Sequence, residues 1–361
     1  MTDLLLPALN VTLGPPDLTQ DTPLAPAPQP PRLSPEDVEE IRLNVASSDA
    51  EATKRAYSGA WAKFTAWCEV RGATPLPCLP ETLAAYLSLV RQVNGEVPAA
   101  GTLSLYLSAI KRAHRERGLV APTEHPLVYR TWRGIRRRRG TRQHGKTALR
   151  WDLLTQVLDA VEKDRLPPWD AAAVRVRDRA LLLVGFAGAF RRSELAGLRV
   201  RDVGMPRDPT ASLLLTITSS KTSDEAVVVE IPRRSGPYCP VKAVIAWIEV
   251  LSDSVLALSP ASPLWYGFGR GGKLRPSGLS DAAVSYVVKR AATLVLSKAQ
   301  VADVSAHSLR AGFATSAAEA RIPVSEIKAQ GRWKSVTTVD RYVQTRQRGA
   351  DNPAARIGVD K

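Results

Sequence analysis

The amino-acid sequence predicts a mainly α-helical protein with a small antiparallel β-sheet, divided into two domains. Three observations support this prediction. Apolar residues recur at helical spacing over much of residues 46–139, two β-rich runs flank a polar turn in the second half, and the first 33 residues are rich in proline. A chain of 361 residues is long enough for two domains that each bury a core.

The chain is expected to begin with a disordered arm at 1–33. This arm is dominated by proline and small polar residues, as in PPDLTQDTPLAPAPQPP, and offers few apolar side chains to a core. A helix is expected directly afterwards, because Ser34 suits the N-cap, Pro35 suits the first helical position and acidic residues follow in the first turn.

Residues 34–139 are predicted to form a helical domain built on a bundle of about four helices. Further helical patterns begin at Pro80 and Gly101. The residues whose spacing indicates the first helix of the bundle are Tyr57, Trp61, Phe64, Ala66, Trp67 and Cys68. The segment Trp132–Lys146 is basic, contains glycine and has little to bury, which indicates a linker, and we place the domain boundary at 140–147.

Residues 148–345 are predicted to form a second, mixed domain, followed by a C-terminal tail at 346–361. Arg177–Leu198 is a strongly apolar helical segment. The two β-rich runs, at 213–218 and 226–231, are joined by a polar turn, which predicts an antiparallel hairpin. Further helices are expected around 240–251, 280–295, 307–320 and 323–330.

The charge of the chain is strongly positive and unevenly distributed. Fifty Lys and Arg residues oppose 35 Asp and Glu residues, which gives a formal net charge of +15. Residues 1–40 hold seven acidic residues and one basic residue, whereas residues 111–150 hold thirteen basic and two acidic residues. An excess of this size favours a polyanionic partner, usually nucleic acid, although ribosomal and membrane-surface proteins are basic as well.

The composition also disfavours several classes of protein. The three cysteines, Cys68, Cys78 and Cys239, are widely spaced, which argues against a disulfide framework or a zinc site and fits a reducing cytoplasm. No apolar run reaches the ~18 residues of a membrane span, and the N-terminus lacks the pattern of a secretory signal. We therefore expect a cytoplasmic protein without a metal ion and without a membrane partner.

Five short motifs follow one another in the second half of the chain. They are Gly188-Ala-Phe-Arg-Arg-Ser-Glu-Leu, Ser220-Lys221-Thr222, Ala306-His307-Ser308-Leu309-Arg310, Gly331-Arg332-Trp333 and Thr337-Thr-Val-Asp-Arg-Tyr342. With these motifs the chain resembles the tyrosine recombinases, or phage-type integrases, over roughly 46–345. The pattern of that family is G-x-R-x-S-E-L, a hairpin lysine, H-x-L-R, and G-H or G-W with a tyrosine nine residues later.

The resemblance implies both a fold and an activity. The fold is an N-terminal helical core-binding domain, which binds DNA, followed by a mixed α/β catalytic domain of the tyrosine recombinase type. The activity is site-specific recombination of double-stranded DNA, by an integrase or a resolvase, through a 3′-phosphotyrosine intermediate and without a cofactor. Strand exchange in this family needs four active sites. We therefore expect a monomer in solution and a homotetramer in the synaptic complex, with the tail at 346–361 docked on a neighbouring subunit; accessory proteins are further candidate partners.

The residues that the resemblance marks as catalytic are Tyr342, Arg191, Lys221, His307, Arg310, Trp333 and Glu194. Each type suits phosphoryl transfer. Attack on a phosphodiester adds negative charge to its non-bridging oxygens, and the guanidinium groups of Arg191 and Arg310 suit two phosphate oxygens. Tyr342 is the expected nucleophile, and His307 is expected to take its proton.

The remaining candidates have supporting roles. Trp333 offers one indole N–H as a donor, Lys221 is expected to protonate the leaving 5′-oxygen, and Glu194 is expected to orient Arg191 or His307. Two assignments have competitors, because Arg192 is adjacent to Arg191, and Lys242 and Lys273 are alternatives to Lys221.

A basic set in the first half of the chain is expected to contact phosphates of the DNA. Its members are Lys111, Arg112, Arg115, Arg133, Arg136, Arg137, Arg138 and Arg139. Side chains that neutralise phosphates give binding that weakens steeply with salt. The linker is expected to cross the duplex, so that the two domains close around it.

Two other functions are compatible with the motifs. A type IB topoisomerase-like relaxase uses the same tyrosine chemistry, but it would act as a monomer on plasmids without a target site. A catalytically inactive DNA-binding accessory protein would form no covalent link to DNA, and the presence of all five motifs argues against it.

Overall fold

The computed structural model describes residues 31, 33–47, 51–93, 95–139, 147–164, 171–206, 208, 210–218, 225–254, 258–269 and 273–343. The chain divides into two compact units, Met1–Thr141 and Arg142–Lys361. Nearly all of the expected arm at 1–33, residues 140–146 of the expected linker, Lys221 and the tail at 346–361 lie outside the described residues.

The described part of the first unit is helical. Its α-helices are α1 (Pro35–Ser47), α2 (Glu51–Val70), α3 (Pro80–Leu89), α4 (Ala100–Arg115) and α5 (Pro126–Arg139). The predicted start of α1 is confirmed, because Ser34 Oγ accepts the amide of Asp37 at 3.1 Å and the Asp37 carboxylate accepts the amide of Ser34 at 2.7 Å.

The core of the first unit is an aromatic cluster between α2, α3 and α4. The ring of Tyr86 lies 4.9 Å from that of Phe64 and 5.8 Å from that of Tyr106, and all three side chains are buried. Such pairs add to the apolar area that the helices bury. The spacing of Tyr57, Trp61 and Phe64 in the sequence therefore corresponds to one face of α2.

The interpretation of Trp132–Lys146 as a linker was wrong over its first half. Helix α5 continues to Arg139, because Ile135 has a place in the core of the first unit, together with Val128 two helical turns earlier. Two apolar residues among many arginines suffice to fix the helix on its neighbours. The strongly basic sequence hid this narrow apolar stripe.

The second unit combines helices with two small antiparallel sheets. The α-helices are α6 (Trp151–Lys163), α7 (Ala171–Ala187), α8 (Arg192–Gly197), α9 (Pro240–Ser252), α10 (Asp281–Ala292), α11 (Lys298–Ala302), α12 (His307–Glu319), α13 (Val324–Gly331) and α14 (Val336–Val343). The strands are β1 (Val203–Gly204), β2 (Leu213–Ile217), β3 (Val227–Ile231), β4 (Tyr266–Phe268) and β5 (Leu274–Gly278). The sheets have the orders β1-β2-β3 and β4-β5.

The predicted hairpin is confirmed as the pair β2 and β3. Leu215 lies opposite Val229, and alternate residues of β2 are buried, as expected for a sheet with one face on the core. Strands β1, β4 and β5 were not predicted. The first has only two residues, and β5 contains proline and glycine, so neither carries a β-rich pattern.

The apolar segment Arg177–Leu198 is two helices and not one. Helix α7 ends at Ala187, and Ala189 then adopts a positive φ of 45° before α8 begins. The carbonyl oxygen of Ala189 accepts a hydrogen bond from Arg310 in α12, so a contact distant in sequence stabilises the break. Helical periodicity alone does not encode such a contact.

Helix α7 lies at the centre of the second unit and packs against α6, α9 and α12. A separate small cluster of apolar residues holds α12, α13 and α14 together, with Ala314, Ile327, Trp333 and Val339 among its members. Within the part of the chain that the structure describes, no helix has both the length and the apolar character needed to cross a membrane.

Candidate active site

The turn between α7 and α8 positions Arg191. This residue precedes the first residue of α8, and its amide donates to Oε2 of Glu194 at 2.9 Å. Its guanidinium group forms an ion pair with the other oxygen of the same carboxylate. The side chain of Glu194 is only 1% exposed, so Arg191 is fixed at both its backbone and its side chain.

Helix α12 supplies two further side chains near the turn that carries Arg191. His307 is its first residue, and Arg310 follows almost one turn later, so both project from the same end and face of the helix. Arg310 is 2% exposed, donates to the carbonyl oxygen of Ala189, and lies with its guanidinium carbon 4.1 Å from the centre of the Trp333 ring.

Trp333 and Tyr342 come from the segment around α13 and α14. The Trp333 ring folds back over Gly331, where a Cβ atom would lie 1.7 Å from Cζ3 of the ring, so the motif requires glycine at this position. Trp333 is buried, and its ring centre lies 5.9 Å from that of Tyr342. The nine-residue step from Trp333 to Tyr342 passes through the short loop before α14 and then through most of that helix.

The hydroxyl of Tyr342 and the ring of His307 are in direct contact. Nε2 of His307 lies 3.1 Å from Oη of Tyr342. Burial, followed by the positive charge of Arg310, lowers the pKa of His307 below its ordinary 6.5, so the ring is neutral at pH 7. With hydrogen on Nδ1, neutral His307 accepts a hydrogen bond from the Tyr342 hydroxyl.

The site carries an excess of positive charge in a buried environment. Burial, followed by the charges of Arg191 and Arg332, lowers the pKa of Arg310 to about 9, which leaves it protonated at pH 7. Burial alone would raise the pKa of Glu194, but hydrogen bonds from Arg191 and the charges of Arg332 and Arg191 lower it overall. Three guanidinium groups therefore face one carboxylate, which favours an anionic ligand.

These side chains meet at one cleft of about 540 Å³. Its lining residues are Arg191, Arg192, Ser193, Asp281, Ser285, Ser305, His307, Arg310, Trp333, Lys334, Ser335, Thr338 and Tyr342. Five of the seven catalytic candidates lie in this lining, and Glu194 contacts one of them. Of the two adjacent arginines, Arg191 pairs with Glu194, whereas Arg192 is 54% exposed and pairs with Asp281 at 3.1 Å.

Comparison with known proteins identifies the family. Residues 148–348, more than half of the chain, match the phage integrase family. The chain belongs to the phage integrase family. The resemblance inferred from the five motifs is thereby confirmed, and this protein is a tyrosine recombinase.

Two curated relatives and one solved structure agree with this assignment. The integrase/recombinase xerD homolog of Selenomonas ruminantium is 31% identical over 317 residues, which are 86% of each protein. Recombinase cre of Escherichia phage P1 is 28% identical over 78% of this chain and 80% of its own length. A lambda integrase tetramer bound to a Holliday junction has the same fold, with a TM-score of 0.52 and 18% identity over 86% of this chain and 77% of that one. The predicted fold class is confirmed.

Several residues of the recombinase cleft were not among the sequence candidates. Lys334, which lines the cleft, follows Trp333 in the chain, and Arg332, which pairs with Glu194, precedes it, so their position beside a motif residue was the available signal. Asp281 and Ser285 belong to α10, which none of the motifs marks. Helical periodicity placed α10 in the chain but gave no indication of which face it turns to the cleft.

Lys221 lies outside the described residues. Its two alternatives, Lys242 and Lys273, are exposed and are absent from the described lining of the cleft. Among the residues with described positions, no group of three His, Cys, Asp or Glu side chains is arranged to hold a metal ion.

The basic candidates of the first unit lie on α4 and α5. Two of them on α4 pair with carboxylates, Lys111 with Glu124 and Arg112 with Glu116. Arg139 donates to the carbonyl oxygen of Pro98 at 3.2 Å. The other five are exposed, namely Arg115, Arg133, Arg136, Arg137 and Arg138. Four of these five lie in the second half of α5, which therefore presents exposed positive charge.

Proposed function

We propose that this recombinase cleaves and rejoins double-stranded DNA at specific sites, with Tyr342 as the nucleophile. One observation carries the proposal: the 3.1 Å contact between Tyr342 Oη and His307 Nε2, in the cleft lined by Arg191 and Arg310. A nucleophilic hydroxyl, a neutral base in contact with it and two cationic donors are the groups that attack on a phosphodiester requires.

The two arginines stabilise the charge that develops on the phosphate. As Tyr342 attacks, negative charge grows on the non-bridging oxygens, and each guanidinium group donates to them through a planar fork. Arg310 is held between the carbonyl oxygen of Ala189 and the ring of Trp333, so it needs little reorganisation when the phosphate binds. In this scheme the ring of Trp333 packs against that guanidinium group and holds it in place.

His307 takes the proton of Tyr342 during the attack. The phenol oxygen then bonds to phosphorus, and the 5′-oxygen of the next nucleotide leaves, which gives a 3′-phosphotyrosine and a free 5′-hydroxyl. Lys221 is our candidate for the donor of the proton that the leaving oxygen needs. The new ester conserves the energy of the broken one, so a 5′-hydroxyl from another strand can reverse the step.

Recombination of two duplexes requires four strand cleavages, so we propose that four copies of the chain act together on two DNA sites. The lambda integrase structure that shares this fold is itself a tetramer on a Holliday junction. The relatives are named recombinases, and this supports recombination over relaxation of supercoils by a single copy.

The proposal is tested with nicked duplexes drawn from a pool of sequences selected for binding to the protein. A nick next to the scissile phosphate lets the cleaved fragment diffuse away, so the covalent complex accumulates. We expect an adduct that survives denaturation and is absent from Tyr342→Phe. Tyr238→Phe is the matched control, because Tyr238 bonds to Asp159 on the surface and does not line the cleft.

Each other outcome has a defined meaning. An adduct that persists in Tyr342→Phe would assign the nucleophile to another residue. Specific binding without an adduct on any nicked duplex would favour the inactive accessory protein. Relaxation of plasmids that lack every selected sequence, by a single copy of the chain, would favour a topoisomerase-like activity.

A further inference from the structure

Arg332 has a backbone conformation that its residue type rarely adopts. It ends α13 with φ 55° and ψ 42°, in the left-handed region. A residue with a Cβ atom is unfavourable there, and glycine is the usual choice at the end of a helix. An arginine in this place must therefore be held by contacts of its own.

The guanidinium group of Arg332 makes those contacts with the turn that carries Arg191. Nη2 pairs with Oε2 of Glu194 at 3.0 Å, and Nη1 donates to the carbonyl oxygen of Gly188 at 3.0 Å. Its guanidinium carbon also lies 5.1 Å from the centre of the Phe190 ring. The side chain is 14% exposed, so these polar contacts are made largely away from water.

The backbone of Arg332 completes the connection. Its carbonyl oxygen accepts a hydrogen bond from Nη2 of Arg191 at 3.3 Å. Arg191 is therefore held on one side by Glu194 and on the other by the peptide group that precedes Trp333. The two turns contact each other through both the side chain and the main chain of Arg332.

We propose that Arg332 is a positioning residue, which fixes the segment carrying Trp333 and Tyr342 against the turn carrying Arg191. The family pattern has glycine directly before the tryptophan, so it gives no role to the arginine that this chain has there. The proposal rests on the function proposed above and adds a residue that touches neither the DNA nor the nucleophile. Its effect passes through Glu194, whose two oxygens are shared between Arg332 and Arg191.

Removal of the Arg332 guanidinium group has a specific consequence. Oε2 of Glu194 loses its side-chain partner inside a buried site, and the carboxylate then draws more strongly on Arg191, its remaining cation. Arg191 becomes less available to the scissile phosphate, and the Trp333 segment loses its tether. The chemical step is slowed, whereas the affinity for DNA, which depends on many phosphate contacts, changes little.

The variant Arg332→Gly isolates this role, because glycine suits the left-handed conformation and removes only the side chain. Arg321→Gly is the matched control: Arg321 also follows a helix, has φ 60°, and is exposed. Single-turnover adduct formation at saturating nicked DNA gives the rate, a binding titration gives the Kd, and thermal unfolding reports folding.

We expect Arg332→Gly to slow adduct formation at least about 30-fold while the Kd changes less than about threefold, and Arg321→Gly to alter neither. Arg332→Lys keeps the charge but not the fork, so we expect it to recover about a tenth to a half of the wild-type rate. In the double variant Glu194→Gln/Arg332→Gln, the loss should be smaller than the product of the single losses, because the two groups act as a pair.

The opposite results are equally clear. An unchanged adduct rate in Arg332→Gly, or a rate that falls only in proportion to a lost folded fraction, would overturn the positioning role. If Arg332→Gly does not fold, a rate for Arg332→Lys equal to that of Arg332→Gln overturns it instead. Absence of a Tyr342-dependent adduct in the wild-type protein would overturn the proposed function and this role together, so the two failures are distinguishable.

Discussion

Three guanidinium groups lie near one buried carboxylate beside the cleft. Arg191 and Arg332 both pair with Glu194, and Arg310 lies close enough for their charges to lower its pKa. Because this arrangement is unfavourable without an anion, phosphate binding relieves the repulsion between the arginines. The motifs sufficed to predict Arg191, Arg310 and Glu194. Arg332 was not predictable, because its contacts depend on a left-handed turn that residue spacing does not encode.

At the residue scale, the neutral state of His307 predicts how cleavage depends on pH. Burial and Arg310 lower its folded-state pKa, so the ring stays neutral and able to accept a proton until the pH falls below that lowered value. The pH profile of kcat/KM reports groups of the free enzyme. We expect the acid limb of adduct formation at subsaturating DNA to have its midpoint below 6.5, the ordinary value for histidine.

The assignment of that limb to His307 is checked with two variants. His307→Asn should lower the rate by about 10²- to 10⁴-fold and abolish the acid limb, because it removes the base. His125→Asn changes an exposed histidine of the first unit and should leave the profile as in the wild type. A midpoint above 6.5, or an acid limb that persists in His307→Asn, would contradict the role of His307 as the base.

At the scale of elements, α12 connects the core to the cleft. Its first turn carries His307 and Arg310. In the same turn the carbonyl oxygen of Ser308 accepts the amide of Leu149, in the segment that leads into α6, at 2.9 Å. Periodicity predicted α12 and the hairpin of β2 and β3, because both carry a strong local pattern. It missed the break between α7 and α8, since the contact of Ala189 with Arg310 joins residues far apart in sequence.

The close packing of α12 predicts a coupling between stability and cleavage. A Cβ atom at Gly312 would lie 1.9 Å from the carbonyl oxygen of Leu149, which is backbone and yields only if the two elements move apart. We expect Gly312→Ala to lower the free energy of unfolding of the second unit by about 1–3 kcal/mol. It should also slow adduct formation by the remaining folded protein, because α12 carries His307 and Arg310.

Gly197 in α8 provides the control for this prediction, because nothing lies within 4 Å of the Cβ position there. Gly197→Ala should leave the free energy of unfolding unchanged or raise it by up to about 1 kcal/mol, as expected when alanine replaces glycine in a helix. Denaturant unfolding of the full chain and adduct assays on the same samples measure both effects. Equal behaviour of the two variants would show that the contact of Gly312 with Leu149 does not constrain α12.

At the scale of the whole molecule, the densest basic stretch and the reacting groups belong to different units. The cleft lies in the second unit, whereas the densest basic stretch of the sequence falls on α4 and α5 of the first. Net charge and its distribution were therefore informative about the partner but not about the reacting groups. The pairing of Lys111 with Glu124 became evident only in the structure, because thirteen residues separate the two in the chain. Arg112 and Glu116, in contrast, have the i,i+4 spacing of a helix.

The exposed arginines of α5 predict how binding responds to salt. If Arg137 and Arg138 each neutralise one phosphate, the double variant Arg137→Gln/Arg138→Gln reduces the slope of log K against log salt by about 1.8, at about 0.9 for each contact. The loss of affinity should be equal on target and unrelated duplexes, because phosphate contacts carry no sequence information. Tyr342-dependent adduct formation at saturating DNA should remain within about twofold of the wild type, because the change acts on binding and not on the cleft.

Arg42→Gln on the acidic helix α1 is the control and should leave the slope unchanged. An unchanged slope in the double variant would remove these arginines from the DNA-binding surface, and a loss confined to the target duplex would instead assign them to base recognition.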